Sequence, residues 1–292
     1  MDRSILGALF LFCLLGSCAT GNRSEKVVQI QPAMTPAGKL FIIGGGKRPP
    51  AMLEELIRVS GIGEGGHAIV LTMASEEPDT AAYYGIRQFL EMGLPAGRLR
   101  ALHFEKGNYP PDAVDSVRSA RLVYITGGDQ NRFMDVVLDS PVYEAIHEAY
   151  QQGATIAGTS AGAAVMSAKM ITGNEFKHPD YTGDFRTIEA ENIEVKEGLG
   201  LLQGAIVDQH FIYRMRMNRL ITVALDQPSE TCIGIDESTA ILVEGRQARV
   251  VGDYQVIVLH NPDQSRKSQN GLLGGRSLKL DVLLPGDVFG LD

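Results

Sequence analysis

From residue 39 onward, short apolar runs alternate with longer stretches in which apolar residues recur every three or four positions. Candidate strands are the runs at 40–43, 68–73, 99–104, 122–126, 154–157 and 205–207, most of them rich in Val, Ile and Leu on both faces. Strands covered by helices on both sides need such two-sided apolarity. Between them, Met52, Leu53, Leu56 and Ile57 fall on one helical stripe, as do Ile86, Phe89 and Leu90. Strand and helix in alternation predict an α/β domain: a mainly parallel sheet with helices on both faces. After residue 227 the pattern changes. Extended runs at 232–236, 240–243, 250–259 and 277–284 follow one another without helical stretches between them, which predicts antiparallel strands toward the C-terminus. The polar stretch 174–198 has the least periodicity, and a loop of that length inside a compact domain is functional or disordered.

The 292 residues are 44% hydrophobic and 21% charged, ordinary usage for a folded chain large enough to do without disulfide staples. With 27 Lys and Arg against 35 Asp and Glu, the net charge of −8 argues against a general attraction to nucleic acid. Any recognition of anions is therefore local. Cys13, Cys18 and Cys232 match no zinc or redox spacing, and nothing in the sequence offers a metal site.

The N-terminus has its own pattern. Arg3 precedes an apolar run from Ile5 to Leu15, shorter than the roughly 20 residues of a membrane-spanning helix but suited to an export signal. The run closes in Leu15-Gly16-Ser17-Cys18, which resembles the bacterial lipobox, in which the cysteine is lipidated and becomes the new N-terminus. The expected organisation is a lipoprotein signal peptide over 1–17, a polar tether over 18–38 and one domain over 39–292. Cys18 would carry the lipid anchor to the membrane, placing the protein in the cell envelope. Ala19 in place of Asp gives no signal for inner-membrane retention.

Gly44-Gly45-Gly46 lacks both the dinucleotide fingerprint and the Lys-Ser/Thr of a P-loop, so it reads as a glycine turn at a strand end. Gly158-Thr159-Ser160-Ala161-Gly162 directly follows an apolar strand and precedes a helical run expected over 164–170. That context suits a nucleophile elbow. Small residues at 158 and 162 let strand and helix approach, Ser160 is forced to the tip of a sharp turn, and the Ala161 N–H faces the place where an oxyanion would form. A tight turn whose serine merely caps a helix remains the plain alternative. Of the six histidines, His67, His103, His147, His178 and His260 sit where surface or structural roles suffice. His210 ends a strand in Asp208-Gln209-His210-Phe211, at the strand end where ligands bind in parallel sheets. Arg214, Arg216 and Arg219 follow. They are candidates for gripping carboxylates, although a regular helix would bring only 216 and 219 to one face.

Gly127-Gly-Asp-Gln130, Gly158-Thr-Ser-Ala-Gly162, Asp208-Gln-His-Phe211 with the trailing arginines, and Gly234-Ile-Asp-Glu237 occur in an order that resembles the serine peptidases containing peptidase E and the cyanophycinases. That group's fold is similar to class I glutamine amidotransferases. The resemblance implies Ser160 as nucleophile, His210 as base, and the N–H groups of Gly128 and Ala161 as the oxyanion hole. An acid about one helix and a turn after the nucleophile would complete the triad. Glu175 stands there, with Asp180, Glu189 and Glu191 as competitors. Gln130, Asp208, Gln209, Arg214, Arg216 and Arg219 would line the substrate cleft. The arginines point to cyanophycin, a poly-aspartate whose side chains carry arginine, cleaved to β-aspartyl-arginine dipeptides. No metal or organic cofactor is implied, and a homodimer is. The alternatives are a peptidase E-like dipeptidase and a catalytically silent binding lipoprotein.

Overall fold

The computed structural model describes residues 38–180, 183 and 185–291. The expected signal peptide, Cys18 and all of the tether before Gly38 lie outside the described residues. In chain order the first half contains β1 (Lys39–Ile43), α1 (Pro50–Ser60), β2 (Ala68–Leu71), α2 (Pro78–Glu91), β3 (Leu99–Leu102), α3 (Pro111–Arg118), β4 (Leu122–Ile125), α4 (Gln130–Val137), α5 (Pro141–Gln151) and β5 (Thr155–Thr159). There follow α6 (Ala161–Ala164), β6 (Lys169–Glu175), β7 (Ile193–Glu197), β8 (Ala205–Gln209), α7 (Met217–Asp226), β9 (Thr231–Ile235), β10 (Thr239–Glu244), β11 (Gln247–Gly252), β12 (Val256–His260), β13 (Lys267–Gln269), β14 (Leu272–Gly274), β15 (Lys279–Leu283) and β16 (Val288–Gly290).

Two sheets carry the architecture. The larger has the order β16-β11-β10-β1-β5-β4-β2-β3, with its half from β1 to β3 parallel and β10, β11 and β16 added antiparallel. The smaller has the order β15-β12-β9-β8, in which only β8 and β9 run parallel. β8, expected beside the other parallel strands, thus belongs to a second sheet. The apolar run over 250–259 is likewise two strands: β11 closes in the larger sheet, and after a turn at Asp253 and Tyr254 the chain enters the smaller one as β12. Periodicity alone cannot detect such a switch, because both strands are apolar.

Local chemistry sets the helix boundaries. Prolines at Pro50, Pro78, Pro111 and Pro141 occupy first helical positions, where a missing N–H costs nothing. Ser140 caps α5 by accepting from the N–H groups of Val142 and Tyr143. In α2, Phe89 and Gln88 turn inward while Leu90 stays exposed, so the expected stripe there is displaced by one position. Ile42, Ile125 and Ile156 bury one face of the larger sheet beneath α3, α4 and α5; Phe41, Tyr124 and Ala157 bury the other beneath α1 and α2.

The helical run expected over 164–170 ends after one turn. The carbonyls of Val165 and Met166, which would accept the next helical bonds, take the N–H groups of Leu199 and Leu202 at 2.6 and 2.8 Å instead. The chain then leaves as β6, which pairs with β7 in an antiparallel hairpin, so both ends of the irregular stretch over 174–198 are strand.

Candidate active site

The site forms where strand ends of the two sheets meet, and the backbone just after β1 stitches them together. The Gly44 N–H donates to the Thr239 carbonyl, the Gly44 carbonyl accepts from His210 N–H at 2.7 Å, and the Gly45 carbonyl accepts from Ser238 N–H. Ser160 N–H donates to the Ile43 carbonyl at 3.0 Å. Serine and histidine therefore hang from adjacent peptide groups of one strand end.

Ser160 sits at φ 55°, in the left-handed region that non-glycine residues rarely enter. The turn is tight because its flanks are glycine. A Cβ on Gly158 would lie 2.1 Å from the Gly162 carbonyl oxygen, and one on Gly162 would lie 2.3 Å from the Ile125 oxygen. The Gly127-Gly128 segment passes beside the hydroxyl, and Asp129 N–H ties it to the Ala74 carbonyl at 2.8 Å. Among the described residues, neither the Gly128 nor the Ala161 N–H is taken up by a backbone carbonyl. Ala161 directly follows Ser160, and Gly128 directly follows Gly127, the residue that comes against the serine side chain.

His210 also has a positive φ, 50°. Its Nε2 lies 2.8 Å from Ser160 Oγ and its Nδ1 lies 2.5 Å from Glu237 Oε1. A carboxylate can only accept, so Nδ1 carries the proton and Nε2 is free to accept from the serine hydroxyl. Burial is the main force holding the histidine pKa below its ordinary value. The Glu237 hydrogen bond opposes it, while the positive charges of Arg214 and Arg216 push the same way as burial. The imidazole is thus kept neutral, ready to take a proton.

The acid at His210 is Glu237, not Glu175. Glu175 ends β6 and accepts from Asn192 Nδ2 at 2.7 Å, within the β6–β7 hairpin. Because the segment after Ser160 becomes a strand instead of a helix, the chain carries Glu175 into that hairpin, which is built around β7. Of the competitors, Glu189 pairs with His178 at 2.6 Å. Glu237 stands two residues beyond the end of β9, the parallel neighbour of β8, the strand that His210 directly follows. The same strand-end argument that singles out His210 points to it.

The glycine triplet has a role beyond turning the chain. A Cβ on Gly45 would lie 2.3 Å from His210 Cε1, and one on Gly46 would lie 2.7 Å from Glu237 Cβ. Residues 45 and 46 are the bare floor on which the imidazole and the carboxylate rest.

The expected cleft residues separate into two groups. Arg214 is exposed, and its charge acts on His210. The others are interior braces. Arg219, 2% exposed, forms a bidentate pair with Asp208, which is 1% exposed, and its guanidinium stacks 4.4 Å above the Phe185 ring. Arg216 donates to the Gln209 carbonyl at 2.6 Å and to its side-chain oxygen at 2.9 Å. Gln130 donates to the carbonyls of Ile171 and Thr172, tying α4 to β6. A regular helix would put 214 apart from 216 and 219, and so it stands here, but the pair that shares a side faces inward. An open cleft lined by Glu76, Glu77, Tyr84, Gly128, Asp129 and Arg132 adjoins the Gly128 segment.

The other histidines hold the scaffold: His67 bonds to the Ser116 carbonyl, His147 to that of Leu199 and His103 to the Thr72 hydroxyl. The buried thiol of Cys232 has its pKa pushed up by desolvation, which makes it a poor nucleophile. Among the described residues, no group of three or more His, Cys, Asp or Glu side chains is placed to hold a metal ion, and no helix is long and apolar enough to cross a membrane.

The model of peptidase family S51 matches residues 74–251, a span that holds Ser160, His210 and Glu237 together. The chain belongs to peptidase family S51. Curated relatives of this S51 chain include cyanophycinases from Nostoc sp., 34% identical over 229 residues covering 76% of this chain and 74% of that one, and from Geminocystis herdmanii, 30% identical over 262 residues covering 86% and 92%. A solved peptidase from an acI-B1 actinobacterium superposes with a TM-score of 0.65 at 25% identity, covering 87% of this chain and 96% of that one. A putative peptidase E from Listeria monocytogenes, 16% identical with a TM-score of 0.52, shares the fold over 74% of this chain and 98% of that one. The chain is thus a peptidase of S51 fold, a mixed α/β structure around a large sheet, as its element pattern predicts.

Proposed function

We propose that the protein is a serine-type peptidase that hydrolyses cyanophycin to β-aspartyl-arginine dipeptides. The observation that carries the reading is the continuous hydrogen-bonded chain from Ser160 Oγ through His210 to Glu237. Ser160 Oγ attacks the scissile carbonyl while its proton passes to His210 Nε2, and Glu237 stabilises the imidazolium that results. The Gly128 and Ala161 N–H groups receive the oxyanion. Collapse of the tetrahedral intermediate breaks the C–N bond, and His210 gives its proton to the leaving amine. Water then attacks the acyl-enzyme with the same histidine as base, releasing the carboxylate and restoring the serine hydroxyl.

Substrate choice rests on the cyanophycinase relatives and on the charges around the site. Arg214 offers an exposed cation beside His210, and the cleft at Gly128 offers Glu76, Glu77 and Asp129. A polymer of alternating carboxylate and guanidinium groups complements both signs. The lipobox-like Cys18 extends the proposal to an enzyme tethered in the cell envelope that attacks polymer from outside the cell. Incorporation of labelled fatty acid into wild type, lost in Cys18→Ser, tests the anchor.

The test of function is incubation of the chain with insoluble cyanophycin beside a Ser160→Ala variant, with released dipeptide read by mass. Dipeptide from wild type alone supports the proposal. Cleavage of free aspartyl dipeptides without attack on the polymer would replace cyanophycin with a peptidase E-like substrate, and inactivity on both would overturn a catalytic role.

A further inference from the structure

Between Asp263 and Asp281 the chain holds four cations, Arg266, Lys267, Arg276 and Lys279, and no acid, against a net charge of −8 for the whole. The stretch contains the β13–β14 hairpin, closed by Asn270-Gly271 at φ of 53° and 81°, the turn that an Asn-Gly pair favours. Every residue of β13 is exposed, so its polar side chains serve no core. The base of the hairpin is fixed from within. Asn261, 3% exposed, donates to the carbonyls of Ala224 and Ser265 and accepts from Ser265 N–H at 2.9 Å, and Ser265 Oγ accepts from Arg276 N–H at 2.9 Å. These ties frame a cleft of about 470 Å³ whose lining includes Arg266, Lys267, Gln269, Asn270 and Arg276 and no acidic side chain. Arg266 reaches back to Asp226 at 3.0 Å. Lys267 and Arg276 are exposed and pair with no carboxylate among the described residues. Like charges set around one cleft repel one another, and an anion between them relieves the repulsion.

We propose that this cleft is a second binding site, for a chain with regularly spaced carboxylates, and that it grips the polymer away from the bond being cut. Lys267 and Arg276 take the carboxylates, and the side-chain carbonyls of Gln269 and Asn270 accept from guanidinium groups that alternate with them. The cleft stands at one end of α7 and His210 at the other. A Cβ on Gly275 would lie 2.4 Å from Leu225 Cδ2, near the end of the helix, whereas Arg214 and Arg216, whose charges act on His210, lead into its start. The 10 residues of α7 span about 15 Å, a distance that about five residues of extended chain cover. Attachment at two points keeps the next bond of an insoluble substrate close to Ser160. The link to cyanophycin rests on the function proposed above, whereas the preference for a polycarboxylate rests on the cleft alone.

Binding is read on the Ser160→Ala chain, which leaves the polymer intact, by the anisotropy of labelled poly-L-aspartate and by co-sedimentation with insoluble cyanophycin. Poly-L-aspartate is expected to bind at low salt and to dissociate as salt rises. Lys267→Glu with Arg276→Glu should weaken binding to either polymer by about tenfold or more, while Arg100→Glu with Lys106→Glu, the same reversal of charge outside the cleft, should leave it within about twofold. An unchanged thermal midpoint shows that each variant is folded. Failure of poly-L-aspartate to bind overturns the proposal, as does binding indifferent to the Lys267 and Arg276 reversal or equal loss in the two double variants. Tighter binding to vesicles of anionic lipid than to poly-L-aspartate also overturns it. Poly-L-aspartate held by the cleft of a chain that neither binds nor cleaves cyanophycin supports the second site and removes cyanophycin as the substrate.

Discussion

Ser160 and His210 both stand in the left-handed region at the ends of buried strands, with φ of 55° and 50°, yet they are held there by different means. The serine is placed by sterics. Gly158 and Gly162 permit a close approach of backbone to backbone, and the surroundings are apolar: Ala161, Ala163 and Met166 are all buried. The histidine is placed by charge. Just before it, Asp208 and Gln209 are clamped by the buried guanidiniums of Arg219 and Arg216, and just after it Tyr213 N–H donates to Asp236 Oδ1 at 2.9 Å. One half resists change through packing. The other depends on ion pairs whose members are costly to bury and far costlier to leave alone.

Glu237→Gln should give the largest effect that leaves the structure intact. An amide in place of the carboxylate no longer fixes the imidazole with its proton on Nδ1, and kcat should fall by about 10²- to 10⁴-fold. Glu175→Gln is the control, and should stay within about twofold, the range of an ordinary peripheral substitution. If the two variants were equally impaired, the acid would be misassigned.

Asp208→Asn addresses the charged half directly. Stranding the buried Arg219 guanidinium should cost about 3–5 kcal/mol in denaturant unfolding, whereas replacing Asp208 and Arg219 together by Leu and Met should recover most of it. Equal losses in the single and double variants would show that the pair is not the brace described here. Gly45→Ala addresses the floor beneath the histidine. The new methyl group displaces the imidazole, and kcat/KM should fall by about 10²-fold with a smaller change in stability. Retained activity would show that the ring has room to spare.

The mildest expected change is in pH dependence. His210 works as a base only when neutral, so activity is lost as pH falls through its pKa. That pKa is held down first by burial, and Arg214 adds to the depression. Arg214→Gln removes a neighbouring positive charge, the pKa rises, and the acid limb of kcat/KM moves to higher pH. A limb that moves downward or stays fixed would remove Arg214 from the electrostatics of the site.

The same division explains what could be read from the sequence. The elbow was legible because its requirements are local: an apolar strand, two glycines and a serine within five residues. His210 was legible because strand ends carry ligands. Glu237 was harder to find because it belongs to a different strand end, 27 residues beyond its partner in the chain, while Glu175 stood at a plausible distance after the serine. The interior roles of Arg216 and Arg219 are hidden in the sequence for a related reason. An arginine beside a candidate base looks like a ligand hook, and nothing in its spacing reveals that the carboxylate it grips, Asp208, lies in its own chain. The second sheet is not legible in the sequence because a buried strand reads alike whichever sheet it joins.

The bare floor under the imidazole and the carboxylate also bears on how descendants of this protein could fall silent. A gene copy that exchanged either of two small codons, those of Gly45 and Gly46, would keep Ser160, His210 and Glu237 in its translated sequence and still lose the alignment among them. A survey that scores catalytic competence by the reactive trio alone would count such a copy as living. Inspecting positions 45 and 46 first would separate working hydrolases from relics that retain their teeth but can no longer bite.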